Sequence, residues 1–90
     1  MDTDTDLVNA ALAGDKSAFG ELVLRHQGNI YRFVYRIINN SFDTADIVQE
    51  TFISAYQNLR KLRYKDKFSA WLCKIAKNQC LMWVRDRVTI

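Results

Sequence analysis

The chain contains no proline and only three glycines among its 90 residues, although 49% of its positions are hydrophobic. All-β folds need many tight turns made by glycine and proline, and disordered or collagen-like chains have few apolar side chains. The composition therefore favours an all-α fold, a small bundle of helices around one hydrophobic core. The length fits a single domain that covers residues 1–90.

Periodicity and capping residues predict four helices, at about residues 5–13, 16–39, 43–59 and 67–87. The second helix carries apolar residues three or four positions apart from Phe19 to Ile37, and Gly28 does not interrupt this stripe. Gly14 is predicted to end the first helix and Asp15 to cap the second. Asp43 is predicted to cap the third.

The apolar positions of the last two helices predict which side chains face the core. On the third helix these are Ala45, Val48, Phe52, Ala55, Tyr56 and Leu59. On the fourth they are Phe68, Trp71, Leu72, Ile75 and Met82, with Trp83 at the edge of the stripe. Their spacing of three to four residues places each set on one face of its helix.

The net charge of +3 divides unevenly along the chain. Residues 1–59 carry four basic residues against eight acidic ones, whereas residues 60–90 carry nine basic residues against two acidic ones. The first part therefore has a net charge of −4 and the second a net charge of +7. Such asymmetry indicates a polyanionic partner at the basic end, but an ordinary solvated helix face explains it equally well.

The third helix presents a polar face opposite its apolar stripe. Asp46, Gln49 and Glu50 stand at positions i, i+3 and i+4 and are therefore neighbours on this face. Carboxylates accept bidentate hydrogen bonds from arginine, so the face could bind a partner's guanidinium groups, although an ordinary solvated face is the alternative. Ile53 lies among these polar residues, as an apolar anchor does within a protein interface.

The fourth helix and the loop before it combine basic, amide and aromatic residues. Lysine and arginine attract phosphates, asparagine can hydrogen-bond a base edge, and an aromatic ring can stack on an unpaired base. Trp71 is predicted to pack in the core, since it lies within the apolar stripe. The candidate nucleic-acid-binding residues are Arg63, Tyr64, Lys65, Lys67, Lys74, Lys77, Asn78 and Arg85.

Other function classes lack the residues that they need. His26 is the only histidine and lies on an apolar helix face, the spacing of Cys73 and Cys80 suits neither a disulfide nor zinc, and no glycine-rich phosphate loop is present. We therefore expect no metal, no cofactor and no enzymatic activity. The acidic N-terminus and the absence of a long apolar run predict a cytoplasmic protein without membrane insertion.

Two stretches of the last two predicted helices form recognisable motifs. They read Asp43-Thr44-Ala45-Asp46-Ile47-Val48-Gln49-Glu50-Thr51-Phe52 and Phe68-Ser69-Ala70-Trp71-Leu72-Cys73-Lys74-Ile75-Ala76-Lys77-Asn78. The first has the pattern D-x-x-D-hydrophobic-x-Q-E-x-F and the second F-x-x-W-L-x-x-I-A-x-N. Both resemble motifs in the second conserved region of the extracytoplasmic-function (ECF) sigma factors of the sigma-70 family. The resemblance covers nearly the whole chain, because the stretch from Leu7 to Phe19 also fits the opening helices of the family.

The resemblance implies a helical module that docks on core RNA polymerase and recognises and melts the −10 promoter element. Asp46, Gln49 and Glu50 would meet the coiled coil of the β′ clamp. Asn78 and the loop 62–67 would hold a flipped-out base of the non-template strand, and the neighbouring lysines would contact its backbone. In the loop, the family often has an aromatic residue followed by Arg-Gly-Asp, whereas this chain has Leu62-Arg63-Tyr64-Lys65.

The resemblance also implies partners beyond the polymerase. ECF sigma factors are often held inactive by anti-sigma factors, so such a regulator is an expected partner. A helical interaction module that binds a regulator without reading DNA is therefore the alternative function. The family normally carries a second, helix-turn-helix domain for the −35 element, and none of the predicted helices of this chain corresponds to it.

Overall fold

The longest helix, α2, is the element against which the other three helices pack. The structure is a computed structural model that describes residues 2–88, and none of these forms a β-strand. The helices are α1 (Asp4–Leu12), α2 (Lys16–Ile38), α3 (Ser41–Gln57) and α4 (Phe68–Val88). Two 3₁₀ turns, Leu59–Lys61 and Lys65–Lys67, connect α3 to α4. The prediction of an all-α fold with four helices is confirmed.

Side-chain caps fix where α1 and α2 begin. The Thr3 hydroxyl accepts a hydrogen bond from the Asp6 amide, and the Asp6 carboxylate accepts one from the Thr3 amide, both at 3.1 Å. Asp15 caps α2, as the sequence predicted, because its carboxylate accepts from the amides of Ser17 and Ala18. These hydrogen bonds favour the charged carboxylates. They lower the pKa of Asp6, mainly through the Thr3 amide, and the pKa of Asp15, mainly through the Ser17 side chain.

The start of α3 differs from the prediction, because Asn40 rather than Asp43 caps this helix. The Asn40 side-chain oxygen accepts from the Asp43 amide at 3.0 Å, so Asp43 already lies in the first turn. This early start is possible because Asn39 ends α2 in the left-handed conformation, with φ of +60°. One such residue reverses the chain and lets the next residue act as a cap. α2 begins at Lys16 as predicted, and the other helix bounds differ from the predicted ones by one or two residues.

The buried faces of α3 and α4 differ from the predicted stripes. Ala45, Tyr56 and Met82 were predicted to face the core, but all three are exposed. The reason is that α3 packs against both α2 and α4, which turns its buried face toward α4. On α4, small side chains at the contact let the helices approach closely. The residues buried instead are Thr44, Ile47 and Thr51 on α3 and Ala76 and Cys80 on α4.

Phe68 joins the first turn of α4 to the rest of the core. Its side chain is fully buried, and its ring packs edge-on against the His26 ring at 5.3 Å and near the Trp71 ring at 6.0 Å. His26 lies at the boundary of the core. Its Nε2 lies 2.8 Å from the Asp4 carboxylate, which ties α1 to α2. Phe68 therefore determines where α4 and the loop before it lie.

Candidate nucleic-acid interface and docking face

A concave basic site lies where the loop between α3 and α4 meets the first turns of α4, and we call it the basic pocket. Its volume is about 320 Å³. Buried Leu62 and Phe68 anchor the two sides of the loop in the core. Four cations therefore converge although they are separated in sequence. The pocket is lined by Lys61, Leu62, Arg63, Tyr64, Lys67, Ala70, Trp71 and Lys74.

Two aromatic rings belong to the basic pocket. Tyr64 is 63% exposed, and the Arg63 guanidinium lies 5.9 Å from the centroid of its ring. Trp71 is only partly buried, so it packs against the core on one side and lines the pocket on the other. The prediction of Trp71 as a core residue therefore described only half of its environment. An aromatic face surrounded by cations suits an unpaired base next to its phosphates.

Lys65, a candidate DNA-binding residue, serves the loop itself. Its ammonium group donates a hydrogen bond to the Leu62 carbonyl oxygen at 2.6 Å, and the residue is half-buried. It does not line the basic pocket, whereas Lys61, which was not among the candidates, does. Sequence spacing could not separate these two lysines, because the difference arises from the path of the loop.

The basic pocket continues onto an exposed face of α4, which we call the α4 basic face. Lys74 belongs to both, and the other members follow it at helical spacing along the same side of α4. Together with the pocket, this face groups most of the candidate nucleic-acid-binding residues on one surface. Its exposed residues are Lys74, Lys77, Asn78, Leu81 and Arg85.

The predicted docking residues on α3 form one exposed ridge, which we call the α3 ridge. Asp46, Gln49 and Glu50 are exposed, and Ile53 is 42% exposed. A groove lies on each side of the ridge. Gln49 and Ile53 border one groove, and Asp46 and Glu50 border the other. The ridge is therefore accessible along its length.

The groove between α2 and α3, the apolar groove, has a volume of about 490 Å³. The rings of Phe19 and Tyr56, which both line this groove, meet edge-on at 5.0 Å. Among the described residues, no charged side chain contributes to its lining, although three glutamines do. The lining residues are Phe19, Val23, Gln27, Ala45, Val48, Gln49, Phe52, Ile53, Tyr56 and Gln57. Several of them were predicted to be core residues, and the sequence could not show that part of this apolar face stays open.

The groove between α3 and the C-terminal half of α4, the acidic groove, has a volume of about 290 Å³. Four carboxylates and one arginine line it. The Arg87 guanidinium lies 4.3 Å from the centroid of the Trp83 ring and 3.3 Å from the Asp43 carboxylate. The lining residues are Asp43, Asp46, Ile47, Glu50, Gln79, Met82, Trp83, Asp86 and Arg87.

Neither cysteine is paired, and the described residues contain no cluster suited to a metal. Cys73 and Cys80 are free thiols, and burial raises the pKa of Cys80. Within residues 2–88, no three His, Cys, Asp or Glu side chains lie close enough to hold an ion. None of the helices in this range is long and apolar enough to cross a membrane.

Comparison with known proteins identifies the class of this module. The family model for sigma-70 region 2 matches residues 22–89. The chain belongs to this family.

The relatives specify the group within the family. The ECF RNA polymerase sigma factor SigW of Bacillus subtilis is 38% identical over 74 residues, which are 82% of this chain and 40% of that protein. The ECF RNA polymerase sigma-E factor of Escherichia coli is 41% identical over 76 residues, 84% of this chain and 39% of that protein. The chain thus spans about 40% of the length of these curated relatives.

A solved structure has the same fold. It is an engineered region 2 of sigmaE, determined by NMR in complex with GTAAAA, and it is 37% identical to this chain. The TM-score is 0.88, and the match covers 98% of this chain and 95% of that one. The resemblance to the ECF sigma factors, first seen in the two motifs, is confirmed.

Proposed function

We propose that this chain docks on core RNA polymerase through the α3 ridge and recognises and melts the −10 promoter element through the basic pocket and the α4 basic face. The role is one of binding in transcription initiation, with no catalytic step of its own, and it is performed in the cytoplasm where the polymerase acts. Membership of the sigma-70 region 2 family supports this assignment. The two surfaces also differ in charge, as two different partners require.

The basic pocket is the observation that carries the DNA half of the proposal. It surrounds the rings of Tyr64 and Trp71 with four cations. Stacking contributes about 1–3 kcal/mol per base, whereas unpairing and flipping a base costs a few kcal/mol. A pocket with two rings and several phosphate-binding groups can therefore hold an unpaired base of the non-template strand. Such a site favours melted over duplex DNA.

Asn78 is the candidate for reading sequence, one helical turn beyond Lys74 on the α4 basic face. Its amide offers both a donor and an acceptor, which a base edge can match. Lys77 and Arg85, in contrast, supply charge that acts on any phosphate. The face therefore combines one residue suited to specificity with several suited to affinity.

The α3 ridge carries the polymerase half of the proposal. Its carboxylates and Gln49 offer acceptors for guanidinium groups, and Ile53 supplies an apolar contact among them. The proposed partner surface is the coiled coil of the β′ clamp. Charge separates the two halves of the function: an arginine-bearing protein surface suits the ridge, whereas a phosphate backbone does not.

Titration with labelled single strands tests the DNA half. The oligonucleotide GTAAAA, the ligand of the similar region 2 structure, is compared with a scrambled strand of the same composition by fluorescence anisotropy. We expect tighter binding of GTAAAA and a steep loss of affinity with salt, because each phosphate contact releases a counterion. Equal affinity for both strands would contradict specific readout.

Two variants separate specificity from affinity. Asn78→Ala is expected to reduce the preference for GTAAAA over the scrambled strand. Lys77→Ala is expected to weaken the binding of both strands alike. Lys16→Ala on α2 removes a similar charge outside the proposed interface and serves as the control. If Asn78→Ala left the preference unchanged, Asn78 would have no role in readout.

A pull-down with core RNA polymerase tests the other half. The double variant Asp46→Ala with Gln49→Ala is expected to abolish binding while the far-ultraviolet circular dichroism spectrum stays helical. Glu21→Ala, an exposed acidic position on α2, is the control and should bind as the wild type does. Retained binding by the double variant would show that the ridge is not the docking site.

A second candidate function is regulation by a helix of an anti-sigma factor bound in the apolar groove. The observation that favours it is the open groove with an uncharged, largely apolar lining. An amphipathic helix that places apolar residues in such a groove is a common mode of recognition. Binding of single-stranded DNA distinguishes the two candidate functions. If the chain were an interaction module without DNA readout, the wild type would bind GTAAAA no better than a variant carrying Lys67→Ala and Lys74→Ala.

A further inference from the structure

The acidic groove combines negative charge with an aromatic wall. Asp43, Asp46 and Glu50 line it from α3, and Asp86 lines it from α4. Among the described residues that line it, Arg87 is the one cation, so carboxylates outnumber guanidinium groups by four to one. The groove therefore has a net negative charge and attracts cations. Asp46 and Glu50 also belong to the α3 ridge, which makes the groove continuous with the proposed polymerase interface.

Trp83 gives the groove a preference for one kind of cation. A flat guanidinium can stack on an indole ring and bind a carboxylate through two parallel hydrogen bonds, whereas an ammonium group is a compact and strongly hydrated charge. The exposed Met82 adds a flexible apolar contact beside the ring.

Arg87 demonstrates how an arginine binds here. Its guanidinium stacks on Trp83 and pairs with Asp43. Both contacts lie at the surface, since the Arg87 side chain is 56% exposed. Exposed ion pairs of this kind are weak because water screens both charges, so another arginine can displace it.

We propose that the acidic groove extends the polymerase docking surface from α3 onto α4 and takes an arginine of the polymerase, a site that Arg87 occupies in the free chain. This inference rests on the proposed function. Arg87 acts as an internal competitor, because the partner arginine and Arg87 require the same ring face and the same carboxylate. The apparent affinity for the polymerase then equals the intrinsic affinity multiplied by the fraction of molecules in which Arg87 leaves the site free.

Removal of Arg87 tests the competition. We expect Arg87→Ala to bind core RNA polymerase about 3- to 10-fold more tightly than the wild type, the gain that follows if Arg87 occupies the site in about 70–90% of molecules. Arg36→Ala removes the same charge from an exposed position on α2 and should not change the affinity. Unchanged or weaker binding by Arg87→Ala, relative to Arg36→Ala, would overturn the proposal.

A second measurement tests arginine binding in the acidic groove in the absence of the polymerase. In a Trp71→Phe background, Trp83 is the single tryptophan, and its fluorescence reports on the groove. Tetra-arginine should change this fluorescence at a lower concentration than tetralysine does. Arg87→Ala should lower the concentration of tetra-arginine that is needed, whereas Arg36→Ala should not. Equal responses to the two peptides, or no effect of Arg87→Ala, would overturn the inference.

The two measurements also separate this inference from the proposed function. If no variant, including the wild type, bound core polymerase, the proposed function would fail, and the peptide titration alone would decide whether the groove selects arginine. If Asp46→Ala with Gln49→Ala abolished polymerase binding but Arg87→Ala did not tighten it, the docking role would stand and the competition would be refuted.

Discussion

The α3 ridge and the basic pocket differ in how the chain builds them. The ridge takes all its residues from one helix, between Asp46 and Ile53, so their relative positions follow from helical geometry alone. The pocket takes its residues from two 3₁₀ turns, the intervening loop and α4, between Lys61 and Lys74. A change in the loop path would disperse the pocket but leave the ridge intact.

This difference determines how each region responds to mutation. In the ridge, each side chain points to solvent and can be replaced with little effect on the fold. In the pocket, some residues hold the loop and others face the proposed ligand. Lys65, which donates to the Leu62 carbonyl, is of the first kind, and Lys67, which lines the pocket, is of the second. Substitutions in the pocket must therefore be designed to separate binding from loop structure.

The largest expected effect comes from Phe68→Ala, which should disrupt the pocket before the ridge. Removing a fully buried phenylalanine costs about 3–5 kcal/mol, and here the loss frees the first turn of α4 from the core. Urea denaturation measures the free energy of unfolding, and amide hydrogen exchange shows which helix opens first. Phe42→Ala is the matched control, because Phe42 is 85% exposed, and it should change stability by less than about 0.5 kcal/mol. Similar losses for both variants would contradict this packing.

The next largest effect concerns charge in the pocket. Lys67→Glu with Lys74→Glu should lower affinity for single-stranded DNA about 100-fold and make its salt dependence shallower, by about 1.4 in the slope of log K against log salt for two lost phosphate contacts. Binding to core polymerase should be unchanged. Lys67→Ala should make the salt dependence shallower, whereas Lys65→Ala should not, because the Lys65 ammonium binds the Leu62 carbonyl rather than a phosphate. Equal changes in the salt slope would remove the distinction between these two lysines.

A smaller effect tests the start of the ridge helix. Asn40→Ala removes the cap of α3 and should cost about 1 kcal/mol, whereas Asp43→Ala should cost less because Asp43 is not the cap. Thermal unfolding followed by circular dichroism compares the two variants with Ser41→Ala as a control for helix propensity. A greater loss of stability for Asp43→Ala than for Asn40→Ala would support Asp43 as the cap, as the sequence predicted.

The smallest effect is a difference in acid sensitivity. The pKa values of Asp6 and Asp15 are lowered in the folded chain, so their stabilisation is present above their ordinary pKa of 3.8 and is lost as the pH falls through the lower folded values. Asp15→Asn should therefore make the unfolding temperature less dependent on pH below about 4. Asn40 is a neutral cap, so the cap of α3 does not itself add such a dependence. A pH profile identical to that of the wild type would show that the Asp15 cap does not contribute.

The sequence predicted those features that depend on helical periodicity and local capping. The four helices, the Asp15 cap and the common face of Asp46, Gln49 and Glu50 follow from spacing within one element. The α3 cap was missed, because the early start of the helix depends on the left-handed conformation of Asn39. The distinction between a stop residue and a cap depends on backbone angles, which residue types alone do not determine.

Packing between helices accounts for the remaining differences. Tyr56 and Met82 fit the apolar spacing, but each lies beside a groove rather than in the core. Spacing indicates which residues share a face, and it does not indicate how far the neighbouring helix covers that face. The same limit concealed the second role of Trp71, since its ring lies at the border between the core and the basic pocket.

The α3 ridge borders both the apolar groove and the acidic groove. Because of this arrangement, the concentration of a regulator can control binding to the polymerase. Gln49 and Ile53 border the apolar groove as well as forming part of the α3 ridge. A regulator in that groove and the polymerase on the ridge would cover the same atoms, so each would exclude the other. The apparent dissociation constant for the polymerase would then rise by the factor one plus the regulator concentration over its own dissociation constant. The amount of free regulator would therefore set how much of the chain engages the polymerase, without any change in its shape.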